Sequence, residues 1–201
     1  MSDNRFNLVG AIFGMRGTGK TEYLKGNESL NLPGLMKPTI EQGKKVLILD
    51  TFDHPSYFDV PIIKPQDLQY WKKGIYRCFV RPDDMAALNT HINSLKSMWN
   101  TLIVYEDAYK HQSEKLDKPI KELIIDSKQK NIDMVFMYHS FSMAPKDLYR
   151  MLDFIELFKT KDHPSARKDD MPGYYEQALQ VYEEVKNNPS RFYHKLINTE
   201  L

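Results

Sequence analysis

Eight consecutive residues, Gly14-Met15-Arg16-Gly17-Thr18-Gly19-Lys20-Thr21, fill the pattern G-x-x-x-x-G-K-[ST]. This spacing suits phosphate binding. Glycines let backbone N–H groups turn toward an anion, the lysine reaches β- and γ-phosphate oxygens, and the threonine hydroxyl faces a magnesium ion. The pattern predicts a P-loop that binds ATP with Mg2+, the ion resting in part on Thr21. A second group is Glu106-Asp107, placed directly after the apolar run Thr101-Leu102-Ile103-Val104-Tyr105. A buried strand that delivers acids at its carboxyl end, downstream of a P-loop, has the form of a Walker B element. One acid holds the metal and the other orients or deprotonates the attacking water. Glu106 is assigned here to the metal and Asp107 to the water, although the usual order is aspartate then glutamate. A third candidate, His139, stands with Ser140 at the end of the run Asp133 to Tyr138. There it either senses the γ-phosphate or is a satisfied buried histidine.

These side chains need strands that end at one edge of a sheet. Leu8 to Phe13 runs into the P-loop, Thr21 to Lys25 continues as a helix, and Gly26 to Gly43 is looser, with breakers at Pro33-Gly34 and Pro38. Further strands are expected at Val46–Asp50, Ile75–Val80, Thr101–Tyr105, Asp133–Tyr138 and Phe154–Phe158. Between them, Met85, Leu88, Ile92, Leu95 and Trp99 form a core-facing helical stripe capped by Asp83-Asp84, and Pro119 opens a helix ending at Lys130. Pro145 to Leu152 is expected as a short helix, Lys159 to Gly173 as a polar loop, and a terminal amphipathic helix carries Tyr175, Ala178, Leu179, Tyr182 and Val185. Strands alternating with amphipathic segments predict an α/β, three-layer P-loop NTPase with a mostly parallel central sheet and helices on both faces. One domain is expected over residues 1–201, with a core at about 6–160 and a C-terminal polar loop and helix at about 161–201.

The 28 basic and 27 acidic residues leave a net charge of +1, so composition alone does not announce nucleic-acid binding. The single cysteine, Cys78, excludes an internal disulfide and suits a reducing compartment. Asn4, Arg5 and Asn7 interrupt any signal-peptide pattern, and no apolar stretch is long enough to span a membrane. A soluble, cytoplasmic protein is the expectation.

The P-loop strand, the Glu106-Asp107 strand after an intervening unit, a helix ending in Lys128 and Lys130, a strand tipped by His139, and Pro145-Lys146-Asp147-Leu148 before a last strand resemble the FtsK/HerA superfamily. The likeness covers roughly residues 6 to 160. Within it, the small size and Arg16 inside the P-loop are similar to compact viral genome-packaging ATPases and, more distantly, to Zot-type ATPases, which usually carry a membrane span. The resemblance implies a ring-like homo-oligomer that hydrolyses ATP and translocates double-stranded DNA, with a capsid or portal vertex as partner, in the host cytoplasm or with the virion. It also implies a cation completing a neighbour's site: the family has an arginine near the start of the sensing strand, where this chain has Lys128 and Lys130, and Arg150 is the other candidate for that role. Arg16 is expected to make a local phosphate contact. Lys110, His111 and the loop from Lys159 to Lys168 are candidates for a DNA-phosphate track pooled around a pore. The rival readings are a nucleoside or nucleotide kinase, which has an arginine-rich lid and takes its acid from the strand beside the P-loop strand, and a regulatory NTP-binding switch.

Overall fold

In the computed structural model, described for residues 7–30, 32 and 34–199, the aliphatic runs become strands covered on both faces. Asn4, Arg5, Pro33 and the expected start of the core at residue 6 lie outside these residues. The elements are β1 (Val9–Phe13), α1 (Lys20–Lys25), α2 (Met36–Glu41), β2 (Lys45–Asp50), β3 (Ile75–Phe79), α3 (Met85–Ser94), β4 (Thr101–Tyr105), α4 (Lys118–Lys130), β5 (Ile132–Tyr138), β6 (Phe154–Phe158), α5 (Tyr175–Asn187) and β7 (His194–Asn198). They are joined by loops with several 3-10 turns.

The strands form one sheet in the order β3-β2-β4-β5-β1-β6-β7. All pairs are parallel except β6 with β7. Alternate residues face opposite layers. Val9, Ala11 and Phe13 pack with Leu47, Leu49, Ile103 and Tyr105 under the apolar faces of α3, α4 and α5. Ile12, Val46, Ile48, Leu102 and Val104 face the other way, against Tyr23 and Leu24 of α1 and Met36 of α2. The expected three-layer α/β architecture is therefore present.

The topology decides where the chemistry meets. β5 lies between β1 and β4, with Phe13 level with Tyr138 and Tyr105 level with Phe136. Gly14, Glu106 and His139 thus emerge from neighbouring strands at one carboxyl edge, where open α/β sheets bind ligands.

Four local expectations need correction. The C-terminal segment read as loop and helix ends instead in β7, whose edge pairing with β6 is antiparallel. The helical stripe stops at Ser94, because Leu95 turns extended (φ −92, ψ 122); Met98 occupies a fully buried place while Trp99 is 46% exposed. Pro145 to Leu152 holds only a 3-10 turn at Leu148–Arg150, whereas the polar loop after Lys159 contains 3-10 turns over Pro164–Asp170. The loose stretch before β2 contains α2.

Candidate nucleotide site

Gly17 and Gly19 adopt φ of 75° and 101°, a region that side chains disfavour, so glycine at these two places lets the loop curl. The loop is locked from beneath. The Gly14 amide donates to the Tyr138 carbonyl at 3.1 Å, and the Met15 amide donates to that of Lys159 at 2.7 Å. The buried Thr18 hydroxyl donates to the Met15 carbonyl at 2.8 Å. The amides of Gly17, Gly19, Lys20 and Thr21 find no acceptor among the described residues. Such a curl of free N–H groups is an anion cradle.

Lys20 is buried at the base of this cradle, its Nζ 2.6 Å from the Gly14 carbonyl and 3.2 Å from His139 Nδ1. Burial pulls its pKa down to about 8, against the pull of Glu106 and Asp107. His139 lies below its ordinary value, through burial first and then the Lys20 charge, with Asp107 opposing. A neutral imidazole accepting from Lys20 at Nδ1 carries its proton on Nε2, which stands 3.5 Å from Asp107 Oδ1. Asp107 is also paired with Lys110 at 2.8 Å. Its backbone is left-handed (φ 48), an unusual conformation for a non-glycine residue.

Glu106 faces the other side of the cavity. Its Oε2 accepts from the Tyr57 hydroxyl at 2.7 Å, and Thr21 lines the same cavity. Burial raises the Glu106 carboxyl to about 7; the Tyr57 bond opposes this, and the nearby charge of Asp107 adds to it. Asp50, buried at the end of β2, contributes further negative charge. This donor set fits Mg2+: the oxygens are hard, one carboxylate and one hydroxyl are enough when phosphates and water complete the shell, and a cation would relieve the crowding of acids. Thr21 and Glu106 are the residues that would hold it.

The cavity above these groups has a volume of about 700 Å3, within the range of small-ligand sites. Arg16, Lys20, Thr21, Glu106, Asp107 and His139 all line it, so the structure brings the P-loop, acid-pair and sensor candidates together. Lys128 and Lys130 are not among them. Both close α4 just before β5 begins, at the opposite edge of the sheet. Lys130 is held by Asn93 and Asp126, while Lys128 is exposed. Of the suggested DNA track, Lys110 is committed to Asp107, and burial lowers His111 to about 4, leaving it neutral near pH 7.

Sequence reasoning missed Tyr57, Arg191 and Phe192. Tyr57 lies in an irregular, proline-marked segment and is fully buried. Arg191 donates to the Arg16 carbonyl at 3.0 Å, and Phe192 forms part of the cavity wall beside Gly19. Both lie just before β7, and the missed strand is what carries them over the P-loop.

No protein-family model matches the sequence, and no curated protein matches it. Solved structures do. The genome packaging NTPase B204 from Sulfolobus turreted icosahedral virus 2, in complex with AMP, superposes with a TM-score of 0.74 at 14% identity over 98% of this chain and 94% of that one. The same NTPase in complex with AMPPCP gives 0.70 at 16% identity over 97% and 98% of the two chains. B204 from Sulfolobus turreted icosahedral virus, described as a DNA-packaging ATPase, gives 0.64 at 14% over 96% and 97%. The chain therefore has the fold of these viral packaging NTPases along nearly its whole length.

Proposed function

We propose that the chain is a Mg2+-dependent ATPase that works as a ring-like homo-oligomer to move double-stranded DNA, with a viral capsid or portal vertex as its docking partner. It would act in the host cytoplasm or with the virion, as one domain; no described helix is long and apolar enough to cross a membrane. The observation that carries this reading is the strand between the P-loop and the acids. Because β5 separates β1 from β4, His139 stands between Lys20 and Asp107. A kinase takes its acid from the adjacent strand and closes an arginine-rich lid. Here the loop after β6 has one arginine, Arg167, and it is spent on the carbonyls of Ser142 and Ala144. The shared fold with viral packaging NTPases supports the same reading.

In this reading Lys20 leaves the Gly14 and Met15 carbonyls for the β- and γ-phosphate oxygens, while the free loop amides bind the rest of the chain of phosphates. Mg2+ held by Thr21 and Glu106 would neutralise charge on the phosphate oxygens as a Lewis acid. Asp107 orients a water and accepts its proton as the water oxygen bonds to the γ-phosphorus and the bond to the ADP oxygen breaks. His139 and Lys110 hold Asp107 in place. Phe192 is an apolar wall for the nucleoside end, and Arg16 makes the local phosphate contact. Of the two α4 lysines, Lys128 is the trans candidate, since Lys130 is already neutralised.

The deciding measurement is ATP turnover by the purified protein with and without duplex DNA, at several protein concentrations. Stimulation by duplex and a steep concentration dependence are expected. Full turnover by a monomer, indifferent to DNA but responsive to nucleosides, would hand the site to the kinase reading.

A further inference from the structure

At the opposite edge of the sheet, where β2 and β4 begin, lies a second cavity of about 480 Å3. Its rim carries two exposed aromatic rings, Tyr70 (74% exposed) and Trp99 (46%). Lysines 45, 72 and 96 line it, and no acidic residue does. Lys72 and Lys96 are exposed and take part in no ion pair among the described residues. Trp71 forms the floor: it is buried, its indole N–H donates to the Lys73 carbonyl at 2.8 Å, and Lys45 Nζ sits 4.7 Å over its ring. Lys45 is fixed further by the Ser97 carbonyl. The wall is built from two packed 3-10 turns, Pro65–Tyr70 and Lys96–Met98; Tyr70 ends the first and Trp99 directly follows the second.

The chemistry of this cavity is specific. Unpaired lysines select an anion, and free aromatic faces select flat rings. Duplex DNA offers phosphates but hides its base faces in the stack; an unpaired strand offers both at once, and its bases stack on aromatic side chains. A lipid surface would also meet lysine and tryptophan, but it requires a broad apolar face, whereas here the rings border a recess that holds the Lys45 ammonium over the Trp71 floor. We propose that this cavity binds unpaired nucleotides of single-stranded nucleic acid, with Tyr70 and Trp99 as stacking platforms and Lys72 and Lys96 as phosphate contacts. The site stands apart from the P-loop cavity and does not depend on the proposed ATPase function.

The protein carries its own reporter, because its two tryptophans, Trp71 and Trp99, both belong to this cavity. Twelve-residue oligomers of deoxythymidine and of uridine, titrated without nucleotide into the wild type and into Lys20→Ala, should quench tryptophan emission equally in the two proteins. A labelled oligomer followed by anisotropy should bind about fivefold to a hundredfold more weakly to Tyr70→Ala or Trp99→Ala. Each of Lys72→Gln and Lys96→Gln should reduce the salt-dependence slope by about 0.7. Quenching by only one of the two oligomers would support the site and assign it to DNA or to RNA. Both rings and both lysines are exposed, so these variants should keep the wild-type melting temperature; should an alanine variant not fold, Lys72→Glu with Lys96→Glu tests the same surface. Three results would overturn the proposal: no quenching at low salt, an equally tight blunt duplex that is equally sensitive to Tyr70→Ala, or a tryptophan blue shift with phosphatidylglycerol vesicles and none with oligomers. Failure of the ATPase reading would leave every one of these measurements unchanged.

Discussion

The carboxyl edge of this sheet and its amino edge both gather lysines, but they handle the charge in opposite ways. At the carboxyl edge Lys20 is wrapped by two carbonyls and His139 within the field of Glu106 and Asp107, and Lys110 is paired with Asp107. At the amino edge Lys72 and Lys96 face solvent with no acid, beside Tyr70 and Trp99. An anion arriving at the first edge must displace existing partners, so binding there can be coupled to rearrangement of Lys20, His139 and Asp107. An anion at the second edge meets lysines without acidic partners, so its binding needs no such exchange. One edge suits chemistry; the other suits attachment.

The sharpest way to break this comparison is at Lys20. Lys20→Ala should reduce ATP turnover by about a thousandfold or more, because Lys110, the other lysine lining the cavity, is paired with Asp107, while oligonucleotide binding at the amino edge stays intact. Loss of both activities together would mean that the two edges are one site. Next in size is the acid pair. Asp107→Asn should bind Mg-ATP yet turn it over about a hundredfold more slowly, and Glu106→Gln should raise the Mg2+ concentration needed for binding. The Glu106 carboxyl, raised by burial to about 7, also has the pKa of a general base, so the reverse pattern in the two variants would exchange their roles.

Much of the carboxyl edge was legible in sequence because its signals are local. The P-loop glycines, Lys20 and the acids after β4 sit at fixed offsets from strands whose aliphatic runs are unmistakable, and both layers of the core follow from those runs. Tyr57 was not legible: it reaches Glu106 from a segment held by turns, with the Asp50 side chain accepting from the Phe52 amide at 3.0 Å, and no periodicity marks that path. β7 was hidden for a different reason. It is a five-residue edge strand with only Ile197 fully buried, so its pattern carries little apolar signal. The amino-edge cavity was masked by the helical spacing of Leu95 and Trp99, which assigns to the core a ring that the turn after α3 swings outward.

A smaller effect tests what the missed strand contributes. Phe192 reaches the carboxyl-edge cavity only because β7 pairs with β6, and His194 on β7 is held by the buried Glu156 at 2.5 Å. Phe192→Ala should raise the KM for ATP about tenfold and change kcat by less than about twofold, since in the proposed reading it meets the nucleoside end and not the reacting oxygens. An unchanged KM would remove Phe192 from the binding wall and confine the site to the residues that sequence already marked.

The smallest effect separates the edges by pH. Beyond Lys20 and His139, each holds an enclosed basic group that burial pushes toward neutrality: His111 after the acids, down to about 4, and Lys45 over Trp71, down to about 8. His111 is packed against Tyr105, ring centroids 5.8 Å apart, and neither ring nitrogen has a hydrogen-bond partner among the described residues. As pH falls below about 6.5 the unfolded chain protonates this histidine while the folded chain does not, so stability is full above 6.5 and drains away toward 4. The loss between pH 7.5 and pH 5 amounts to about 2 kcal/mol from this group. Lys45 has the opposite window: the unfolded chain keeps its proton to about 10.5 and the folded chain releases it near 8, so its penalty is relieved as pH rises through that interval. His111→Phe keeps the ring and should flatten the acid limb of a urea-unfolding series by about 2 kcal/mol while leaving the interval from pH 8 to 9.5 as it is. Lys45→Met should do the reverse, reducing the rise above pH 8 to the part that Lys20 contributes and sparing the acid limb. Equal sensitivity of both limbs to either change would show that the two edges do not titrate independently, and the division between them would fail as an account of this fold.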